Sequence, residues 1–249
     1  GIHRFDGSRT EHYLNDPLDS LSLNDDVVFR AYAGPDGAIW AATFAGVWRI
    51  DPFNGERRRL AMTHRDGVQG TYECLGLAWS ADGTLWAFCN RSGLARMRPG
   101  EDRLSALGLP EAQVVLGGLV GPDGAVWYTD RDALVRYDPV SGVMEPHRFR
   151  YKGEPGPPKT LLLRVLPDAD DTGALWCTTW GLGFVRFSIA RAEFDRQLVH
   201  RQPLNDLQNI VTGAVPRGDG TWWVLIDEQL VAVDPRTGAR GALEGEPGA

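Results

Sequence analysis

Six side chains in the sequence have the chemistry that recognises a polar organic molecule. They are aromatic rings, guanidinium groups and carboxylates, and each stands in a short stretch between two apolar runs. Aromatic faces pack against the C–H surface of a sugar, and charged groups hydrogen-bond hydroxyls or a peptide carboxylate. The pattern predicts a site for a small molecule, sugar or peptide, formed by Phe44, Arg91, Asp130, Arg131, Trp180 and Glu228.

The alternative interpretation of these residues is an ordinary solvated set of loops. The two interpretations differ in what mutation does. If the residues bind a ligand, changing Trp180 and Arg131 to Ala abolishes binding without lowering stability. Unchanged affinity in a folded double variant would contradict the site.

Groups for acid–base or metal chemistry are few and scattered. No two of the five histidines have the spacing of a metal motif, and only His64 stands in a link expected beside the candidate site. Glu73 is the one carboxylate at the entrance of an expected inner strand, where a lone group is more often a solvated edge residue than a general base. We predict no catalytic residue, no metal site and no cofactor.

The three cysteines, Cys74, Cys89 and Cys177, have neither metal nor redox spacing. We interpret them as small buried hydrophobic residues. They do not decide the cellular compartment.

The elements that would carry the candidate site come from an internal repeat. A tryptophan recurs every 41 to 49 residues, each time after an Asp-Gly or Thr-Gly turn. An apolar-x-Arg sequence follows each tryptophan, except in the last repeat, where Ala232 stands in place of the arginine. Periods in the 40s fit paired helices or four-stranded propeller blades, and the turns with short alternating apolar runs favour strands. The repeated residues are Trp40, Trp86, Trp127, Trp176 and Trp223.

Each repeat therefore reads as a four-stranded antiparallel meander, which buries both faces only by stacking on further copies. We predict an all-β fold, a β-propeller with about five complete blades and one half blade, in a single domain over residues 1–249. The half repeat spans residues 1–19, and the last repeat has all four strands. We therefore expect a piece of a larger propeller. The repeats span roughly 20–65, 66–108, 109–151, 152–199 and 200–245.

Repetition is itself evidence that a residue serves the fold. A large ring at a fixed strand position fills the gap between stacked sheets, so we predict that the five tryptophans are core residues rather than ligand platforms. The recurrent arginines are predicted to pair with turn carboxylates or neighbouring strands rather than to bind an anion. They are Arg4, Arg49, Arg96, Arg136 and Arg186.

Composition excludes two classes of partner. The formal net charge is −7, and only Lys152 and Lys159 among the 26 basic residues are lysines, so no basic face for nucleic acid is evident. No apolar run approaches the length of a membrane span, so we expect no membrane insertion by this segment. The first residues do not read as a signal peptide.

Three segments of the first repeat resemble the repeat of the two-component regulator propellers. That family has a Ser-Leu-Ser-(Asp/Asn) lead-in, an Asp-Gly-x-(Leu/Ile)-Trp strand and a Gly-Leu-x-Arg-(Phe/Tyr)-Asp strand. The resemblance covers essentially the whole chain, although the Gly-Thr that usually follows the Trp strand has drifted. The matching segments are Ser20-Leu21-Ser22-Leu23-Asn24, Asp36-Gly37-Ala38-Ile39-Trp40 and Gly46-Val47-Trp48-Arg49-Ile50-Asp51.

The resemblance implies a non-catalytic, ligand-sensing extracytoplasmic domain of a bacterial receptor. In that family a periplasmic propeller region precedes a β-sandwich, a membrane helix and a histidine kinase or diguanylate cyclase. The partners it implies are an unknown ligand, adjacent propeller or sandwich domains, and a homodimer mate.

Two alternatives stay open. One is a propeller enzyme of the lactonase or streptogramin-lyase type, whose repeats carry similar Asp-Gly turns. The expected inner strands, however, are almost devoid of carboxylates and contain no histidine. The other is a free-standing scaffold that binds a protein.

Overall fold

The computed structural model describes residues 1–5, 7–19, 22–23, 25–63, 72–90, 92–107, 114–151, 154–155, 160–198 and 209–241. Within these residues the regular elements are strands, and they form five four-stranded antiparallel meanders. The predicted all-β propeller fold is confirmed. None of the described segments is a helix that is long and apolar enough to cross a bilayer.

The chain divides into two compact units, residues 1–117 and 118–249. The first unit holds a hairpin and two blades. Its strands are β1 (Ile2–Phe5), β2 (Thr10–Tyr13), β3 (Val28–Ala33), β4 (Ile39–Thr43), β5 (Gly46–Ile50), β6 (Arg57–Arg59), β7 (Ala61–Thr63), β8 (Cys74–Trp79), β9 (Leu85–Cys89), β10 (Gly93–Met97) and β11 (Arg103–Ala106).

The second unit holds three blades and a short two-stranded pair, with the unit boundary inside the first strand of its first blade. Its strands are β12 (Val115–Val120), β13 (Val126–Asp130), β14 (Ala133–Tyr137), β15 (Met144–Arg148), β16 (Arg150–Tyr151), β17 (Glu154–Pro155), β18 (Leu161–Pro167), β19 (Ala174–Trp180), β20 (Phe184–Ser188), β21 (Glu193–Leu198), β22 (Val211–Pro216), β23 (Trp222–Ile226), β24 (Gln229–Val233) and β25 (Arg240–Gly241).

Blades 1 to 5 therefore begin with β3, β8, β12, β18 and β22, and each runs through its strands in chain order. In blade 2, β7 adds a parallel fifth strand beside β11. The half repeat at the start of the chain is the hairpin β1–β2.

The Asp-Gly turns join the first and second strands as expected. In blade 1, Gly34 N donates to Ala38 O at 2.8 Å and Gly37 N donates to Gly34 O at 3.1 Å. Gly37 has a φ of 76°, which a residue without a Cβ adopts at little cost. The turn chemistry of the sequence thus fixes where each hairpin closes.

The tryptophans hold one register position. Trp40, Trp127 and Trp176 in the second strands face Arg49, Arg136 and Arg186 in the third strands. Four of the five tryptophans are buried, which confirms the core prediction for Trp40, Trp86, Trp127 and Trp176. Of these, Trp40, Trp127 and Trp176 pack between neighbouring sheets of one unit.

Trp223 departs from this pattern. Its register partner is Ala232, and the guanidinium of Arg217 lies 4.4 Å from the ring centroid. The ring is half-buried, and the neighbouring Trp222 is the buried residue in this strand. Without an arginine across the strand, the ring is covered from the turn side instead.

A repeated irregularity lies where the first strands begin. In blades 1, 2, 4 and 5 the pairing of first and second strands skips one residue, which is a β-bulge. The extra residues are Phe29, Leu75, Leu163 and Thr212. Each bulge lies at the end of the blade opposite the Asp-Gly hairpin, beside the turn between the second and third strands.

Candidate functional site

The candidate residues lie on one kind of turn, the connection between the second and third strands of a blade. We call these connections the rim turns. Phe44 is in the rim turn of blade 1, Asp130 and Arg131 are at that of blade 3, Trp180 is at that of blade 4 and Glu228 is in that of blade 5. The sixth candidate, Arg91 in blade 2, lies outside the described residues.

The main chain of each rim turn is tied to the entrance of a first strand. Phe44 N donates to Val27 O at 3.1 Å, and Asp227 N donates to Ile210 O at 2.9 Å. Asp227 also accepts a hydrogen bond on Oδ1 from Ile210 N at 3.0 Å. These bonds hold the turn backbone, so its side chains are presented from a fixed frame.

In the second unit the rim turns also bond to the next blade. Leu162 N, in the first strand of blade 4, donates to Arg131 O in the turn of blade 3 at 2.6 Å. Gly183 N in the turn of blade 4 donates to Asn209 O, just before the first strand of blade 5, at 2.9 Å. Successive rim turns of this unit are therefore coupled through main-chain bonds.

A buried threonine holds the rim turn in two blades by the same pair of bonds. Thr43 Oγ1 donates to Gly46 O at 2.8 Å and accepts from Ala45 N at 3.1 Å. Thr179 Oγ1 donates to Gly183 O at 2.7 Å and accepts from Leu182 N at 3.1 Å. The two turns differ in sequence but share this pair of threonine hydrogen bonds.

The side chains on this frame are presented to solvent. Phe44 is 51% exposed and Trp180 is 40% exposed, although both are large and apolar. Arg131, Asp227 and Glu228 have φ values of 53°, 46° and 66°. Non-glycine residues pay a steric cost in this left-handed region, and such strain persists only where the surrounding structure imposes it.

At the opposite end of the blades, turn carboxylates bind the strand arginines. Asp36 accepts from Trp40 Nε1 at 2.9 Å and from Arg49 Nε at 2.7 Å. Burial alone would raise the pKa of Asp36, but the hydrogen bonds from Trp40, Arg49 and Ala38 outweigh it and hold that pKa below its usual value. The prediction that the arginines pair with turn carboxylates or neighbouring strands is confirmed for Arg4, Arg49, Arg136 and Arg186.

The largest of these clusters surrounds Arg186. Its guanidinium lies 2.9 Å from Asp168, 2.5 Å from Asp171 and 2.7 Å from Asp195, and Asp168 also accepts from Trp176 Nε1 at 3.0 Å. Burial alone would lower the pKa of Arg186, but the carboxylates outweigh it and raise that pKa. The guanidinium is neutralised by its own neighbours, so this cluster serves the fold.

The carboxylate singled out in the sequence has a structural partner. Glu73 Oε2 accepts from Asn90 Nδ2 at 2.8 Å, and Asn90 N donates to Glu73 O at 3.0 Å. Glu73 therefore fastens the rim turn of blade 2.

Strand pairing brings together two histidines that their sequence spacing did not connect. His3 and His12 are register partners in the β1–β2 hairpin, with 2.6 Å between their Nδ1 atoms. The signal was available, because both lie equally far from the turn centred on Gly7 and Ser8. No group of three or more His, Cys, Asp or Glu side chains among the described residues could hold a metal ion.

His147 is a core-facing histidine. Its ring stacks on Trp127 with centroids 5.9 Å apart and lies 4.9 Å from the centroid of Phe187. Burial lowers the pKa of His147. His64 and His200 lie outside the described residues.

A cavity of about 340 Å³ lies at the hairpin end of blades 3 and 4. It is away from the rim turns, and its walls are mostly apolar. Its walls are framework residues with no distinctive motif, so no pattern in the sequence indicates it. They include Leu119, Val120, Pro122, Pro167, Asp168 and Leu175.

Comparison with known proteins yields matches in structure. No protein-family model and no curated protein matches the sequence. The extracellular domain of the putative one component system BT4673 from B. thetaiotaomicron superposes with a TM-score of 0.73 at 14% identity, over 97% of this chain and 30% of that chain. The chain has the fold of this extracellular domain.

Two further structures share the fold. The extracellular domain of the putative hybrid two component system BT3049 from B. thetaiotaomicron has a TM-score of 0.59 at 13% identity, over 94% of this chain and 36% of that chain. Virginiamycin B lyase from Staphylococcus aureus has a TM-score of 0.62 at 17% identity, over 84% of this chain and 67% of that chain. The chain thus spans about a third of the two extracellular domains. The resemblance predicted from the repeats is confirmed at the level of fold.

Proposed function

We propose that this chain is a ligand-sensing, non-catalytic domain of a bacterial signal-transduction receptor. Its ligand is a sugar, a peptide or another small polar molecule bound by the rim turns. The observation that carries the proposal is the strain at those turns. Of the five described non-glycine residues with positive φ, three lie in rim turns. Backbone strain held in place by a rigid frame is a mark of functional sites.

The composition of the rim fits this role. Phe44 and Trp180 offer aromatic faces, and Asp130, Arg131 and Glu228 offer charges of both signs. Recognition sites commonly place variable polar and aromatic groups on loops that a rigid scaffold positions. Arg91 belongs to the same set by its place in the sequence.

The first strands support a non-catalytic role. In the described residues β3, β8, β12, β18 and β22 contain no Asp, Glu or His, and their charged residues are Arg30 and Arg164. General acid–base chemistry needs a carboxylate or imidazole within hydrogen-bond reach of the reacting group. Strands without these groups favour binding over turnover.

Signalling would follow from a difference in affinity. A ligand shifts a receptor only if it binds one arrangement of the domain and its neighbours more tightly than the other. The partners in this proposal are adjacent propeller or sandwich domains of the parent protein and a dimer mate. The location is the periplasm, with the receptor anchored in the membrane by another segment.

The test is ligand binding by the purified chain. A panel of oligosaccharides and short peptides is screened by thermal shift, and hits are measured by calorimetry. For a true ligand, the Trp180→Ala/Arg131→Ala double variant should bind at least about 100-fold more weakly with the wild-type melting temperature.

Matched controls locate the site. Phe53 and Arg236 are exposed side chains in turns at the opposite end of their blades, so the Phe53→Ala/Arg236→Ala variant should bind as wild type does. Thr172→Trp fills the cavity at the hairpin end and should also leave affinity unchanged. No hit in the panel, or equal loss in all variants, would contradict the proposed site.

A second candidate function is a lyase, because the chain superposes on virginiamycin B lyase over most of its length. The absence of acid–base groups from the described first strands argues against it. Incubation with virginiamycin B should leave the compound intact by chromatography. Its conversion would favour the enzyme.

A further inference from the structure

Two cysteine thiols face each other inside the core of the first unit. Cys74 in β8 and Cys89 in β9 are register partners on adjacent antiparallel strands. Both are fully buried, and both are free thiols. Both side chains belong to the same buried cluster, and Cys74 Sγ lies 3.4 Å from Gly76 O.

The strand geometry suits a covalent bond between them. The adjacent pair, Glu73 and Asn90, carries a main-chain hydrogen bond of 3.0 Å. Antiparallel pairs alternate, so Cys74 and Cys89 form a non-hydrogen-bonded pair, for which the Cα atoms are typically about 4.5 Å apart. Disulfides span Cα separations of roughly 4.4 to 6.8 Å.

We propose that Cys74 and Cys89 are a latent disulfide that closes when the chain meets a disulfide oxidant. One thiolate attacks the oxidant disulfide and forms a mixed disulfide, releasing one thiol of the oxidant. The second cysteine attacks the protein sulfur of that mixed disulfide and releases the other thiol. Two cysteine thiols lose two protons and two electrons, and the oxidant disulfide is reduced to two thiols.

The surroundings predict when this reaction occurs. The hydrogen bond to Cys74 and burial raise the pKa of the Cys89 thiol, so the folded pair reacts slowly. Closure is therefore fastest while the strands are still opening and closing, as during folding in an oxidising compartment. This inference does not depend on the sensing proposal.

The bond would brace one rim turn. Cys74 stands at the bulge that begins β8, and Cys89 ends β9, where Asn90 starts the rim turn of blade 2. The side chains flanking the pair, Glu73 and Asn90, are already hydrogen-bonded at 2.8 Å. A disulfide next to them fixes the two strands where that turn leaves the sheet.

The experiment refolds the reduced, urea-unfolded chain in a buffer of reduced and oxidised glutathione. Free thiols are then alkylated under denaturing conditions and the protein is digested for mass spectrometry. We expect a Cys74–Cys89 linked peptide, a mass decrease of about 2 Da before digestion, and Cys177 as the alkylated thiol. Oxidation should raise the melting temperature by roughly 5 °C, and dithiothreitol should reverse the rise.

Variants separate this outcome from random oxidation. Cys177 is also buried but has no register-partner cysteine, so Cys177→Ser should form the same disulfide and show the same shift. Cys74→Ser should form no intramolecular disulfide. Two results with the wild-type protein alone would overturn the proposal. In one, the refolded protein has its native circular dichroism, but Cys74 and Cys89 are both recovered in the alkylated form and so remained free thiols. In the other, one of them is linked to Cys177.

Discussion

At the scale of single residues, the rim turns hold strain that the sequence does not announce. Asp227 and Glu228 form a two-residue connection in which both φ values are positive, a geometry that favours Asn-Gly or Asp-Gly. Glu228 was predicted to bind ligand from its residue type, whereas the backbone conformation of the two residues was not foreseen. The steric conflict arises from strand register, which only the folded pairing specifies.

Replacing Glu228 by Gly should raise the free energy of unfolding by about 1 kcal/mol, because glycine has no Cβ to clash in the left-handed region. Urea denaturation measures the change. Ala192 has a φ of 54° at the other end of blade 4, so Ala192→Gly should give a similar gain. Only Glu228→Gly should weaken ligand binding. A loss of stability in Glu228→Gly would mean that its side chain stabilises the turn.

Replacement of the Asp168 carboxylate should lower the stability of the fold. Its side chain is 9% exposed, accepts a hydrogen bond from Trp176 Nε1 and forms an ion pair with Arg186. Asp168→Ala should lower the free energy of unfolding by about 2 to 4 kcal/mol. It leaves the buried Nε1–H of Trp176 without an acceptor and removes one carboxylate partner of the Arg186 guanidinium. Asp219→Ala, at an exposed turn position, should cost much less. Equal costs would show that the buried cluster contributes no more than the solvated turn.

At the scale of elements, turn chemistry and the tryptophan repeat predicted the strands closely. Asp-Gly turns mark where hairpins close, and alternating apolar residues mark which face of a strand is buried. Hairpin positions and buried faces can therefore be predicted from the residue types. The bulges could not be predicted from the sequence, because their extra residues are of ordinary strand types. These residues are Phe29, Leu75, Leu163 and Thr212. A bulge is a property of two strands together.

Equivalent tryptophans should respond differently to mutation. Trp176 Nε1 donates to Asp168, whereas Trp127 Nε1 is buried and has no hydrogen-bond partner. Both rings are buried in second strands, so Trp→Phe removes similar apolar area from each. Trp176→Phe should therefore cost about 1 to 2 kcal/mol more than Trp127→Phe. Chemical denaturation of both variants measures it, and a larger loss in Trp127→Phe would refute the argument.

At the scale of the whole molecule, the repeated turns give stability a common pH dependence. Asp82, Asp138 and Asp234 accept main-chain hydrogen bonds from Thr84, Val140 and Arg236 at 3.0, 2.8 and 2.7 Å. These bonds lower the pKa of each carboxyl in the folded state.

A carboxyl with a lowered folded-state pKa stabilises the fold above the usual aspartate pKa of about 3.9. That contribution is lost as the pH falls through this value toward the folded-state pKa. The melting temperature should therefore drop between about pH 5 and pH 3. A triple Asp→Asn variant at these turns keeps an acceptor that does not titrate, so its drop should be shallower. Parallel curves would refute the role of the turn carboxylates.

The candidate site was predictable to the extent that loop position follows from the repeat. The described candidates fall on equivalent turns, because a repeat that fixes strand order also fixes which loops share an end. The cavity near Leu119 was not predictable, since it depends on how two sheets pack. The pairing of His3 with His12 was open to prediction, because both residues lie equally far from the turn at Gly7 and Ser8.

The threonine that holds a rim turn has a consequence for how such a chain evolves. Thr43 and Thr179 fasten turns of unlike sequence with the same two bonds. The exposed residues of a copied rim turn can therefore change while the two bonds that fasten its backbone persist.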